Sequence, residues 1–314
     1  MSPQRDFFGK NFLRISAITF FAAFSAKADE PVFGYIYTTD LNPKGTTQFE
    51  QKIDDRYGQA HGNYNNVKMQ SEIEHGVTDD FQAALYINYS FLNAKKNSVN
   101  STTEGIDIPA SHNPDNSFHA TRYDSFSIEL IKRVLSPYKD RIGLAFYFEP
   151  TLGPRERELE GKIILHKNFF DDQLITAANI TVSYEQEKVS TIFDTQPGDD
   201  DYQKARWEKA AMLDFTAGAS YRFIPNWFFG VEYRNHNEFG GTWRMSRATQ
   251  EHTAHFLGPV LHYGGRKFFA TLAFRYQIGA NAFGEQKAET RGGKVYGDEH
   301  TKIDGIRLIL GYPF

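Results

Sequence analysis

The 314-residue chain contains no cysteine, which excludes a disulfide framework and any zinc or iron–sulfur centre held by thiolates. Beyond its N-terminus it has no apolar run approaching the roughly 18–20 residues that a membrane-crossing helix needs. It has no excess of positive charge either. Thirty-five Lys and Arg against 39 Asp and Glu leave a net charge of −4, so no nucleic-acid partner is expected. The H-E-x-x-H zinc helix, the G-x-S-x-G nucleophile elbow and glycine-rich phosphate loops are all missing. No cofactor and no metal is therefore expected, and no catalytic residue is assigned.

What the chain does have is aromatic residues, with 28 Phe and 17 Tyr. It also has an export-like N-terminus. Arg5, Lys10 and Arg14 precede a short apolar run from Ile15 to Phe24, and Ala26-Lys27-Ala28 has the form of a cleavage site. The expected organisation is a signal peptide at 1–28, a periplasmic lead-in at 29–44, and one domain at 45–314.

Most of that domain alternates apolar and polar residues, the period of a β-strand. Phe81, Ala83, Leu85, Ile87, Tyr89 and Phe91 oppose Gln82, Tyr86, Asn88 and Ser90. Phe268, Ala270, Leu272, Phe274, Tyr276 and Ile278 oppose Thr271, Arg275 and Gln277. About twelve such strands are expected. The first, Thr46 to Ile53, is weakly patterned, and the tenth, His255 to Tyr263, is blurred by Pro259. Pro150 and Pro259 belong at strand ends or bulges, where a ladder hydrogen bond can be lost.

The connections also alternate. Those after strands two, four, six, eight and ten are short. Those after three, seven, nine and eleven are long, and those after one and five are intermediate. Phe81, Tyr138, Phe169, Phe170, Tyr221, Trp227, Phe268, Tyr312 and Phe314 flank the short turns, as an interfacial aromatic girdle would. The last strand, Ile303 to Phe314, puts Ile306, Leu308, Leu310, Tyr312 and Phe314 on one parity and is expected to pair with the first.

Together these features resemble Gram-negative outer-membrane β-barrels, and Phe314 resembles their C-terminal aromatic. The resemblance implies an all-β fold, a closed antiparallel transmembrane β-barrel in the cell outer membrane. Its partners would be outer-membrane lipid and, through Leu310, Tyr312 and Phe314, the barrel-assembly machinery. Three phrases resemble poorly characterised barrels found beside aromatic-degradation genes and proposed as transporters. They are Glu72-Ile73-Glu74-His75-Gly76-Val77-Thr78-Asp79, Tyr147-Phe148-Glu149-Pro150-Thr151 and Gly230-Val231-Glu232-Tyr233-Arg234-Asn235-His236. That likeness implies a passive channel for small, hydrophobic or aromatic molecules, with a small-molecule solute as further partner.

If the apolar parity faces lipid, the other parity lines the lumen. Candidates there are Glu72, Glu129, Glu149, Lys162, His166, Glu185, Asp214, Glu232, Arg234 and Arg275. They read either as a rigidifying ion-pair network or as the wall of a polar path. Two alternatives stay open. One is a non-conducting structural or surface-interaction barrel, which a lumen plugged by Asp29 to Lys44 would favour. The other is an outer-membrane hydrolase, built from Ser125 or Ser183 with His166, or from any Ser–His or Asp–His pair at the outer rim. His61, His112, His119, His252 and His300 are expected in loops, as solvated polar residues. Asp199-Asp200-Asp201 reads as an acidic loop tip, with Ca²⁺ binding the alternative.

Overall fold

The computed structural model describes residues 31–105, 107–109, 111–190, 205–241, 243–297 and 300–314. The expected signal peptide and the Asp199-Asp200-Asp201 tip lie outside these residues.

Eleven strands follow one another: β1 Thr47–Tyr57, β2 Asn63–Thr78, β3 Phe81–Lys95, β4 Phe118–Leu135, β5 Gly143–Leu152, β6 Glu156–Phe169, β7 Leu174–Ser190, β8 Ala205–Ile224, β9 Trp227–Gly240, β10 Gln250–Gly264 and β11 Phe269–Ala282. A two-stranded hairpin of β12 Thr290–Arg291 and β13 Lys294–Val295 interrupts the last loop, and β14 Ile303–Pro313 ends the chain. Each long strand pairs antiparallel with its neighbour in sequence, and β14 pairs with both β11 and β1 to close a twelve-stranded barrel. The closing register sets Phe49 opposite Tyr312 and Ile53 opposite Leu308.

The alternation in sequence becomes an inside and an outside because successive side chains leave a strand on opposite faces. Leu85, Ile87, Phe146, Phe148, Ile163, Ile180, Val182, Phe215, Val231 and Leu272 all stand exposed on the outer surface. So much exposed apolar surface is unusual for a protein in water and is what a lipid-facing belt requires. Tyr138, Phe170, Tyr221, Phe268, Tyr312 and Phe314 are exposed at the end that carries the short turns. Trp227, Tyr263 and Phe268 form a chain of ring contacts there, with centroids 5.0 and 5.3 Å apart.

The turns at this end are tight. β2 and β3 are joined by Asp79 and Asp80, and β8 and β9 by Pro225 and Asn226, where Asn226 takes a φ of 69° that asparagine tolerates better than most residues. Longer connections follow β3, β9 and β11 at the opposite end.

Most strands run longer than the sequence reading. β2 runs to Thr78, so His75 to Val77 are strand rather than turn, and β3 and β4 extend to Lys95 and from Phe118. The loop after β5 is only 153–155. In a closed ladder, backbone pairing continues past the apolar belt whatever the side chains are, and hydropathy does not register that extension. Pro150 and Pro259 lie within β5 and β10, each at a skip in the ladder. Pairing lapses between Leu130↔Phe148 and Ser127↔Thr151 on β4–β5 and between Leu257↔Tyr276 and Val260↔Ala273 on β10–β11, with the register unchanged, so neither proline marks a strand end or a bulge.

Ile163 lies midway along β6, 41% exposed, between Phe146 and Ile180 on the neighbouring strands. Replacing it with Arg places a charge against hydrocarbon. The expected loss is about 2–4 kcal/mol, read as a lower urea midpoint for the barrel folded in lipid vesicles.

Candidate functional site

The interior has two halves. The half nearer the short turns is occupied by the segment before β1. Phe33 and Ile36 pack with Val32 against Ile175, Ala177, Val260 and Ala273. Leu41 packs against Ile131, Ala145, Tyr147 and Ile164. The wall makes room by being small there. A methyl group added at Gly218 would come within 2.8 Å of both Phe33 and Ile36, and one added at Gly34 would meet the Ala273 methyl at 2.3 Å.

Polar clasps fix the same segment. Glu232 Oε1 accepts from the backbone N–H of Gly34 at 2.7 Å and of Tyr35 at 3.2 Å. Asn179 accepts from Tyr37 N at 2.8 Å and donates to its carbonyl at 2.9 Å. The Tyr37 hydroxyl donates to Glu129 at 2.9 Å, and that of Tyr35 to Asp54 at 2.8 Å. Arg275 and Arg307 lie against the Tyr35 ring at 3.8 and 4.1 Å. His166 Nδ1 meets Thr39, and its Nε2 meets Asn168 Oδ1 at 2.6 Å. Pro31 O accepts from Thr271, and Asn42 N donates to Gln82 at 2.7 Å.

Around this segment runs a belt of ion pairs. Lys52 meets Glu72 at 2.6 Å and Glu50 at 3.6 Å, and Arg307 meets Asp54 at 2.7 Å. Asp304 joins Arg275 at 2.5 Å to Arg234 at 3.4 Å, and Arg234 meets Asp214 at 2.6 Å. Lys162 pairs with Glu160 and lies over the Tyr147 ring at 4.0 Å. Glu149 accepts from Tyr147 and from Thr151.

The half nearer the long loops is open, a cavity of about 1010 Å³. Among the described residues, nine glutamates and two aspartates line it with two arginines, two lysines, His236 and His300. The acid is organised by register. Glu156 on β6 lies opposite Glu187 on β7, which lies opposite Glu208 on β8, and Glu158 lies opposite Glu185. Like charges directly opposite across a sheet repel one another, and the rows bring several carboxylates close together at the cavity wall.

The ten residues singled out in the sequence therefore divide. Glu129, His166, Glu232 and Arg275 touch the N-terminal segment, and Glu72, Glu149, Lys162, Asp214 and Arg234 belong to the polar network. Glu185 lines the cavity with Asp214 and Arg234. Glu50, Lys52, Asp54, Asp304 and Arg307 were missed. Their signal was present in Gln48, Glu50, Lys52 and Asp54, four polar residues on one parity, which made the first strand look unpatterned.

Three histidines require correction. His119 is exposed but lies on β4, opposite Asn93, and not in a loop. His252 lies within β10 and is fully buried, and His300 is 9% exposed. Neither is a solvated loop residue, because loops above them fold back over the barrel mouth. They sit beside His236 and Glu238. No hydrogen bond joins His166 to Ser125, which accepts from Asn88 at 3.0 Å, or to Ser183.

The chain belongs to a family of unknown function, DUF6662, whose model matches residues 25–314. No curated protein matches it in sequence. Among solved structures it is similar to the COG4313 outer membrane channel from Pseudomonas putida F1, at 8% identity and a TM-score of 0.52, over 88% of this chain and 97% of that one. It is also similar to the NanC porin, at 8% identity and a TM-score of 0.46, over 84% and 98%. For the TodX monoaromatic hydrocarbon channel (deltaS2 mutant) the values are 9% and 0.38, over 87% and 90%. The likeness to the first is one of fold, the outer-membrane β-barrel.

Glu232 is the acceptor on which the N-terminal segment turns. Glu232→Leu leaves two buried N–H groups without it, at a cost of about 1–3 kcal/mol each, whereas Glu232→Gln keeps a carbonyl acceptor. Limited proteolysis of the folded barrel is expected to cut within 31–44 faster in the Leu variant and at the wild-type rate in the Gln variant.

Proposed function

We propose that this protein is a channel of the outer membrane for small polar solutes, with cations favoured over anions. The in-register glutamate rows on β6, β7 and β8 carry the reading. Rings of carboxylates concentrate cations and repel anions at a pore mouth, and a cavity of about 1010 Å³ admits a small solute with its hydration. In this reading the cavity opens to the exterior, and the short turns, with the 31–44 segment, face the periplasm. The segment is then the constriction, and the acidic cavity is the vestibule in front of it. The chain would be exported by the 1–28 signal and assembled through Leu310, Tyr312 and Phe314.

The polar walls bear on the choice of solute. A hydrophobic or aromatic molecule would have to displace water from carboxylates and gain little from the wall, so a cationic or neutral polar solute is the better match. The non-conducting alternative draws on the filled half of the barrel, and conductance separates the two. The hydrolase alternative has one geometric point in its favour, Asp214 Oδ1 at 2.7 Å from His236 Nδ1. The other nitrogen of that ring faces Glu238 at 3.6 Å and no hydroxyl.

In planar bilayers the folded protein is expected to give small cation-selective conductance. Exchanging Glu156, Glu158, Glu185 and Glu187 together for Gln is expected to at least halve the reversal potential in a salt gradient. Removing residues 31–44 is expected to raise single-channel conductance. Closed bilayers with both wild-type and shortened barrels, each shown to be folded by heat-modifiable gel migration, would sink the proposal. Deleting Phe314 is expected to lower the yield of assembled barrel in cells while leaving the conductance of each assembled barrel unchanged.

A further inference from the structure

At the rim of the cavity three imidazoles converge on one carboxylate. His236 and Glu238 lie two residues apart on the inward parity of β9. His252 on β10 is directly opposite Glu238 in the ladder. His300 arrives from the loop before β14, where its N–H donates to Gly297 O at 2.7 Å. Gln277 on β11 pins that loop, donating to the carbonyls of Val295 and Thr301 and accepting from Val295 N. Three separate stretches of chain, β9, β10 and the loop before β14, thus meet at one point.

The distances are those of a coordination shell. Glu238 Oε2 is 3.6 Å from His236 Nε2, 3.6 Å from His252 Nε2 and 3.4 Å from His300 Nε2. One ligand atom from each of the four residues fits within 4.8 Å of all the others. A tetrahedron with metal–ligand bonds of about 2.1 Å has edges of about 3.4 Å. The carboxylate contacts are therefore close to tetrahedral edges.

The polar groups are also left unsatisfied in a way a cation would answer. His236 Nε2 and both ring nitrogens of His252 are buried and make no hydrogen bond to a described residue. His236 and His252 are 2% and 0% exposed. Buried polar atoms are nearly always partnered, and here unpartnered nitrogens point at a shared carboxylate oxygen. The outer side of the His236 ring is set as well. Nδ1 lies 2.7 Å from Asp214 Oδ1 and 2.9 Å from Arg234 Nη2; a proton shared with the carboxylate gives the carboxylate–histidine arrangement in which Nε2 keeps its lone pair for a metal. Asp214 and Asp304 meanwhile offset the charge of nearby Arg234.

We infer that His236, Glu238, His252 and His300 form a binding site for a divalent transition cation, best matched by Zn²⁺. Imidazole nitrogen and a single carboxylate suit zinc, while Ca²⁺ and Mg²⁺ take oxygen shells. Four protein donors make a closed, structural site rather than a catalytic one. Its effect is to fasten the loop before β14 to β9 and β10 at the barrel mouth. The site stands whether or not the barrel conducts.

The test uses the full chain, tag-free, folded in detergent and stripped with EDTA. Calorimetry with Zn²⁺ is expected to show one equivalent bound. Co²⁺ is expected to give the intense visible absorption of four-coordinate cobalt. His252→Ala combined with His300→Ala should abolish both, and Asp214→Asn should weaken Zn²⁺ binding about 10–100-fold. Zinc-edge X-ray absorption of the wild type, which needs no variant to fold, should show a shell of nitrogen and oxygen at about 2.0–2.1 Å. Absence of saturable Zn²⁺ binding, a six-coordinate cobalt spectrum, or full binding by a folded double variant would each overturn the site.

Discussion

Everything in this molecule follows from one pairing, β14 against β1. In hydrocarbon there is no water to satisfy a free strand edge, so a sheet that crosses a membrane must close on itself. Closure makes one face of every strand an outer surface and the other an interior, and it brings the two ends of the barrel domain together. The apolar parity then has lipid to face, and the polar parity has only the other walls and whatever enters from the mouths.

The interior answers that demand in two different ways. Around the segment before β1 the solution is complementarity. Small wall residues admit Phe33 and Ile36, and Glu232, Asn179 and His166 take up backbone or hydroxyl groups that would otherwise be buried without partners. Farther along, the solution is charge. The Asp214–Arg234–Asp304–Arg275 chain balances positive and negative groups within contact distance. Beyond it glutamates on β6, β7 and β8 face one another across the ladder. The change from apolar packing and contact ion pairs to facing glutamates runs from the half that holds the N-terminal segment to the half that encloses the cavity.

Much of the fold was legible because strand parity is a local property. Leu85 and Ile87, or Leu310 and Tyr312, declare their face from two residues of sequence. The inward orientation of Glu232 and Arg275 follows from the same count. Strand β1 was hard to read for the converse reason. Its Gln48, Glu50, Lys52 and Asp54 are all polar, and only the partners on β2 and β14 explain why charge is tolerated there. The histidine cluster was illegible because its members come from positions 236 to 300 and meet only through register and a loop that folds back. The His236-Asn237-Glu238 spacing was the one local hint. The N-terminal segment looked like a lead-in because its apolar residues have no period, and their partners are scattered over several strands.

The path of that segment has a mechanical consequence. Pro31 is tied to Thr271 near the start of β11, Tyr35 and Tyr37 reach the belt of ion pairs, and Asn42 returns to Gln82 near the start of β3. The segment is thus a lobe that enters and leaves through the same opening, not a thread drawn from one end to the other. A thread can be removed only by pulling a free end through its whole length. A lobe can retract by swinging about its attachment at Thr46, with no strand of the wall unzipped. Displacing the lobe would therefore leave the twelve-stranded ladder closed.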